Sequence, residues 1–358
     1  MRKYYTRPCN FYYGHYARNL VRKKKAFLLA GNPNIAFDQL EIFQRKAIGV
    51  VKSELYPISE IKTLDRKKAS IIKTDLKKIT SKRKSILGLK FDNPQIMGAL
   101  NVTPDSFSDG GLFFEESKAY NQANLMIMSG ATIVDIGGES TRPGSKTIKD
   151  IDEWERIKKT IIKLKKNFPN IPLSLDTRKS YVMKKGIENG VDVINDVSGL
   201  NFDNKSFDII NLKKIPFVLH HMQGTPDTMQ KNPMYDDALL DIYDFFDRKI
   251  NFCIKKNYKR ELILIDPGIG FGKNLKHNLR IMSKISTFHS LGCPILIGTS
   301  RKRFIEHIVT KFDTPDRTGG TLASVLYGLL QGVQLFRVHN VKEINQGILV
   351  FNKILNTN

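Results

Sequence analysis

Side chains that can carry charge and hydrogen-bond a polar ligand recur in this 358-residue chain at one kind of place, the end of a short apolar run. Asn101 follows the run at 96–100. Asp135 and then Gly137-Gly138-Glu139-Ser140-Thr141-Arg142-Pro143-Gly144 close the run at 132–136. The run at 171–175 leads into Asp176-Thr177-Arg178, and that at 192–194 into Asn195-Asp196. His220-His221-Met222-Gln223-Gly224 comes after 216–219, and Asp266-Pro267-Gly268-Ile269-Gly270-Phe271-Gly272-Lys273 after 262–265. Ser300-Arg301-Lys302-Arg303 comes shortly after 295–297, and Arg337-Val338-His339 ends the run at 334–338. Carboxylates, an amide and cations of this kind make charge-assisted hydrogen bonds, the strong class. One such residue alone reads as a cap or a satisfied core group. Eight sets in succession ask for a common site.

Several chemistries are excluded by spacing. The glycines at 268–272 lack the Walker pattern, because Pro267 stands where its first Gly belongs and Asn274 follows Lys273 where Ser or Thr is needed. A dinucleotide fingerprint fails too, since Lys273 takes the place of its third glycine. The seven histidines show no His-x-x-x-His spacing or Cys/His metal pattern, and no Gly-x-Ser-x-Gly elbow exists.

The elements that must position these residues are the apolar runs themselves. Runs of about three to six residues without alternation suit strands buried on both faces of a parallel sheet. Amphipathic stretches at 154–168, 236–256 and 322–330 lie between them. Eight strand–helix units in about 260 residues match a (β/α)8 barrel, whose strand ends all open on one face. A doubly wound sheet is the rival, but it offers a phosphate-binding glycine turn after its first strand. Here a long loop follows instead, Asn101-Val102-Thr103-Pro104-Asp105-Ser106-Phe107-Ser108-Asp109-Gly110-Gly111. The expected architecture is an α/β TIM barrel over residues 95–358, preceded by a basic N-terminal extension over 1–94.

Charge separates the two regions. The formal net charge is +23, and a pI near 9.8 invites a nucleic-acid reading. Residues 1–94 carry 22 basic and 7 acidic side chains, and residues 95–358 carry 36 and 28, so most of the excess lies in the first quarter. That extension starts with aromatics and bases, has a turn signal at Gly31-Asn32-Pro33-Asn34, and from Ile61 places Ile61, Leu64, Ile72, Leu76 and Ile79 at roughly helical spacing. It reads as an amphipathic helix packed on the larger domain, with RNA or partner binding and an organellar transit peptide as alternatives. No nucleic acid is expected for the barrel. Three scattered cysteines (Cys9, Cys253, Cys293) give no disulfide framework and point to a reduced, cytoplasmic setting. No apolar run nears the roughly 20 residues of a membrane helix, so no membrane partner is expected.

The segments at 101–111, 137–145, 174–177, 194–196, 266–273, 300–302 and 337–339 resemble, in order and spacing, the dihydropteroate synthase family of pterin-binding barrels. The resemblance covers residues 95–355. It implies folate biosynthesis by an alkyl transferase: (7,8-dihydropterin-6-yl)methyl diphosphate and 4-aminobenzoate condense to 7,8-dihydropteroate and pyrophosphate. It further implies Asp176, Asn195 and Asp266 reading the pterin edge, Lys302 donating to its carbonyl side, and Arg337 stacking on the ring. Lys302, Arg337 and Asp176 would be the catalytic set. His339, with Arg337 and Arg142, would hold the leaving anion, and Asn101 would contact Mg2+. Asp105, Phe107, Thr141 and Arg142 on two long loops, with Phe271, would form the aminobenzoate pocket. Its carboxylate would lie at the start of the helix after Ser300. The resemblance also implies competition by sulfonamides and a homodimer through outer helices.

Two positions depart from that pattern. His220 stands where the family more often has Met or Leu, and Arg303 where it often has Ser. The first reads as a satisfied inner histidine, with altered pterin packing as the alternative, and the second as a lost side-chain contact that backbone N–H donors replace. Alternative readings are a pterin-binding methyltransferase, and a catalytically silent homologue whose extension binds RNA or a partner.

Overall fold

Residues 2–47, 49–103, 112–309 and 316–357 are described in the computed structural model. In the extension, β1 (Tyr4–Tyr13), α1 (Gly14–Arg22), β2 (Phe27–Leu28), β3 (Ile35–Ala47) and β4 (Val50–Pro57) precede a 3-10 turn and α2 (Arg66–Thr80). The strands form one antiparallel sheet around β3, which pairs β1 on one side and β2 and β4 on the other. The barrel strands are β5 (Gln95–Asn101), β6 (Ile133–Gly137), β7 (Leu173–Asp176), β8 (Val193–Asp196), β9 (Phe217–His220), β10 (Ile263–Asp266), β11 (Leu296–Ile297) and β12 (Leu335–Val338). The helices between and after them are α3 (Leu112–Met128), α4 (Asp150–Asn167), α5 (Ser180–Glu188), α6 (Ser206–Lys213), α7 (Ala238–Lys255), α8 (Leu275–Ser283), α9 (Arg303–Ile308), α10 (Thr318–Leu330) and α11 (Val341–Asn356).

All eight strands are parallel to their neighbours, in the order β10-β9-β8-β7-β6-β5-β12-β11. The ends of that order meet through a single parallel bridge, Ile265 to Ile295, so the barrel is nearly closed and β10–β11 is its thinnest seam. Every apolar run read from the sequence falls on one of these strands. Helix α4 shows why the helices form: Trp154, Ile157, Ile161 and Leu164 are buried at spacings of three and four, facing the sheet. Acids fill its first turn and lysines its last, in line with the helix dipole. Helix α7 is capped by Asp237, whose side chain accepts from the Leu240 N–H at 3.1 Å.

The extension is more than the helix expected of it. Helix α2 is present and buries Ile72 and Ile79, but most of residues 1–60 is sheet. The strands were hidden from pattern reading because both faces of β3 are covered, which erases the apolar–polar alternation. Leu40 and Ile42 join Ile61, Ile72 and Ile79, while Phe43 and Tyr5 join the core cluster of the barrel. Tyr5 stands edge-on to Tyr243 of α7, ring centroids 5.2 Å apart, and its hydroxyl meets Asp244 at 3.0 Å. Many of the extension's cations are structural. Arg45 pairs Asp241 at 2.8 Å, Arg7 pairs Glu41 at 2.7 Å, and Arg83 donates to the His289 carbonyl at 2.9 Å.

Replacing Tyr5 by Ala removes an aromatic side chain that is fully buried in the shared core. Large-to-small changes at such sites cost about 3–5 kcal/mol. Urea unfolding of the full chain followed by Trp154 fluorescence, a barrel reporter, should show the midpoint falling. An unshifted midpoint would mean that the extension folds independently of the barrel.

Candidate active site

Strand alternation builds the site. The lowest inward residues of the barrel are Met97, Ile133, Val193, Val218, Leu264, Leu296 and Leu335, packed as one apolar floor with Ile86, Leu89 and Phe91 from the hairpin that enters β5. Two residues further along a strand the side chain points inward again. From those positions come Asp135, Asn195, His220, Asp266 and Arg337; Asp176 stands beside Gly137 and Asn195 in register. The mouth above is a cavity of about 1170 Å³, lined by Asp176, Asn195, His220, Asp266 and Arg337 and by Asn101, Thr141, Arg142, Phe271, Ser300, Lys302 and His339, with Asp135 buried behind Arg337. That exceeds the roughly 300–1,000 Å³ of a single small-ligand site, so there is room for two reactants side by side.

At the centre Arg337 bridges two carboxylates. Its Nε donates to Asp135 Oδ2 at 2.6 Å and its Nη2 to Asp176 Oδ2 at 2.9 Å. The Asn195 amide donates to the same Asp135 oxygen at 3.0 Å. Asp135 Oδ1, Asp176 Oδ1 and Asn195 Oδ1 are buried with no hydrogen-bond partner among the described residues. Buried acceptors left open in this way are costly and call for a ligand or water. Asp135 was not among the site residues expected from sequence. Its position on β6 carried the signal, because it lies two residues above Ile133.

On the opposite wall Lys302 Nζ lies 3.9 Å from the centroid of the Phe271 ring, a cation–π contact. Phe271 is on the loop after β10, where Gly268 adopts φ +67 and a Cβ would lie 2.0 Å from the His221 carbonyl. Lys273, also unassigned by sequence reading, is buried there and donates to the Phe271 carbonyl at 2.8 Å. Ser300 Oγ is 3.0 Å from His339 Nδ1, tying the ends of β11 and β12. Asp105 and Phe107 fall outside the described residues. Helix α9, the one after Ser300, begins at Arg303 and spans six residues. It is therefore a weak dipole for the anion role expected of its first turn.

The loop carrying Thr141 and Arg142 is tethered by a buried ion cluster. Glu139 takes Arg178 at 2.9 Å and Lys179 at 2.9 Å, and Lys179 also reaches Glu153 at 2.6 Å. No local pattern marked these partners; three segments of the chain bring them together.

Burial governs the electrostatics. It pushes the Asp266 carboxyl up to about 6, against the Gly268 N–H and the pull of Lys302 and Arg337. It pushes Asp176 up as well, with Arg337 opposing and Asp135 reinforcing. Burial, with Arg337 beside it, brings the Lys302 ammonium down to about 8. His339 is brought down to about 3 by burial and by Arg337 and Arg301, so it is neutral at pH 7 while the cavity is empty.

Removing the bridge tests this picture. Arg337→Ala leaves two buried carboxylates without their cation, and breaking a buried pair costs about 3–5 kcal/mol, nearer the lower figure for a partly open guanidinium. The sign follows from proton linkage. With Arg337 in place the buried Asp176 carboxyl is already raised to about 7, so removing the cation raises it further and the variant's native state binds extra protons only above that value. Denaturant unfolding should show the deficit level below about pH 7 and growing as pH rises from about 7 to about 9. A deficit independent of pH would sink the assignment.

Comparison with known proteins agrees with the geometry. The pterin binding enzyme family matches residues 97–339. The dihydropteroate synthase of Escherichia coli K12 is 38% identical over 267 residues, covering 75% of this chain and 94% of that protein. The Bacillus subtilis dihydropteroate synthase is 38% identical over 263 residues, 73% of this chain and 88% of its own. Among solved structures, Yersinia pestis dihydropteroate synthase with a sulfonamide drug superposes with a TM-score of 0.70 at 37% identity, covering 75% of this chain and 97% of that one. The Xanthomonas albilineans enzyme with 4-aminobenzoic acid gives 0.70 at 34% identity, covering 76% and 97%. A barrel of this layout, matched along three-quarters of its length, places the chain among the pterin-binding enzymes of folate biosynthesis, and it belongs to the dihydropteroate synthase family.

Proposed function

We propose that the cavity takes a (7,8-dihydropterin-6-yl)methyl diphosphate and 4-aminobenzoate together and joins them with release of pyrophosphate. The observation that carries this reading is the pair of buried, unpartnered acceptors on the cavity-lining Asp176 and Asn195 beside Asp266. A pterin edge carries guanidine-like N–H donors, and those oxygens are what such an edge would satisfy. Lys302 would donate to the carbonyl side of the ring. Arg337, already fixed by Asp135 and Asp176, would lay its guanidinium plane against the heterocycle, a contact lysine makes poorly. Arg142 and His339 would hold the departing diphosphate. Thr141 and Phe271, with Asp105 and Phe107, would form the aminobenzoate pocket, with Ser300 near its carboxylate.

The chemistry needs no enzyme nucleophile. The C–O bond to diphosphate breaks with its electrons leaving on oxygen, and the methylene cation is delocalised into the pterin. The aromatic amine attacks that carbon and then loses its proton. The protein's part is fixed charge and exclusion of water. Asn101 would be the residue holding Mg2+. Among the described residues no three His, Cys, Asp or Glu side chains form a metal cluster, and the Asn101 amide lines the cavity. One hard oxygen donor suits an ion bound mostly through phosphate and water. When bound, the ion would neutralise diphosphate charge.

We also read the protein as a cytoplasmic homodimer. Three buried free thiols suit a reducing compartment, and Leu349, Val350 and Ile354 leave an apolar stripe exposed on α11.

Pyrophosphate release should require both substrates and Mg2+, and a sulfonamide should compete with 4-aminobenzoate. Absence of pyrophosphate with both substrates present would defeat the reading. The pH profile follows from the site. Asp266 must be ionised to accept, and Lys302 protonated to donate. kcat/KM for the pterin substrate should therefore rise through about pH 6 and fall above about 8. Lys302→Arg, whose charge persists, should move the alkaline limb upward; a limb left in place would deny it to Lys302.

A further inference from the structure

Building on the pterin reading of the cavity, we propose that His220 is a specificity-determining residue of that site: its Nε2 accepts a hydrogen bond from an N–H on the amino-bearing edge of the bound pteridine. The strand order sets its place. β7, β8, β9 and β10 are consecutive around the barrel and carry Asp176, Asn195, His220 and Asp266 at or next to their last residue. His220 is the register partner of Asp266 and points inward two residues above the floor residue Val218. It fills the gap between the Asn195 and Asp266 acceptors and lines the same cavity.

The ring is held in one orientation. Its Nδ1 lies 3.1 Å from the Val197 carbonyl. A carbonyl can only accept, so the proton resides on Nδ1 and the lone pair on Nε2. Among the described residues the hydrogen bond of this ring is the one at Nδ1, and Nε2 makes none. The ring stands edge-on to Phe271, centroids 4.7 Å apart at 85°. Gly268 makes room for it, since a Cβ at that position would lie 2.8 Å from His220 Cε1. Burial, with Lys273 and Lys302 nearby, keeps the imidazole neutral, so Nε2 remains an acceptor across the working pH range. A Met or Leu at this point offers packing alone. The chain has thereby added a fourth polar contact to an arc that already matches a donor-rich edge.

Two variants separate this role from a structural one. In His220→Asn the amide nitrogen reproduces the donor to Val197 and leaves nothing at the Nε2 position. In His220→Gln the amide carbonyl reaches the Nε2 position. Binding of 6-hydroxymethylpterin and of its 2-oxo counterpart, which lacks the amino group, is measured by calorimetry on the full chain, with thermal unfolding as a fold control. His220→Asn should weaken pterin binding about tenfold, the scale of one neutral hydrogen bond, and leave the 2-oxo ligand within about twofold. His220→Gln should recover most of the loss. The proposal is overturned if His220→Asn binds pterin like the parent, if it loses both ligands equally, or if Gln recovers nothing. Failure of the parent itself to bind pterin would instead refute the reading of the cavity.

Discussion

Arg337 held between Asp135 and Asp176 is the interaction on which the site depends. It joins the ends of β12, β6 and β7, and Asn195 extends the link to β8. Two carboxylates near the floor of an apolar barrel cannot both stay ionised without a cation, because desolvation disfavours the charged form. Arg337 supplies that cation and occupies one oxygen of each. The other oxygen of each has no hydrogen-bond partner among the described residues, and Asp176 lines the cavity. Stability given up to buried charge thus appears as a preformed field, oriented before any ligand arrives. Across the cavity Lys302 is held over Phe271, and the loop bearing Phe271 is pinned by Lys273. The geometry of the mouth is set by the protein, with little left for the substrate to arrange.

The extension belongs to the same mechanical problem. The barrel closes through one bridge between β10 and β11. The segment that leads into β11, residues 285–291, meets β1 through Arg7 and Ser286, and Arg83 binds the carbonyl of His289. Phe43 and Tyr5 enter the barrel's own hydrophobic cluster. A net charge of +15 in residues 1–94 therefore has a partly structural meaning: several of its cations are spent on Asp75, Glu41, Asp241 and Glu261. The apparent basic tail is a small domain braced against the thin side of the barrel.

Some of this was legible without coordinates and some was not. The eight apolar runs matched the eight strands because a strand buried on both faces must be continuously apolar, and its polar end stands out. Asp176, Asn195, Asp266, Lys302, Arg337 and His339 stood out for that reason. Asp135 was seen at the close of its run but given no role, because that role appears only when Arg337, about two hundred residues away, is placed against it. Glu139 and Lys179 likewise had no assigned role, since their pairing with each other and with Glu153 joins separate segments. His220 was seen but taken as an inner histidine; it does satisfy Nδ1 on Val197, yet which nitrogen faces the cavity is a matter of ring orientation. The sheet of residues 1–60 was missed because consecutive buried residues in β1 and β3 removed the period that would have announced those strands.

What the sequence determined by itself is the barrel and the face on which its chemistry gathers, since these follow from local periodicity and from residue types at strand ends. The class of ligand was implied by the resemblance of those segments to the dihydropteroate synthase family. What only the tertiary structure decided is which charges meet. The pairing of Arg337 with two carboxylates, the tautomer of His220 and the docking of the extension all join residues far apart in the chain. Such contacts are set by the register and closure of the sheet, and no local pattern encodes them.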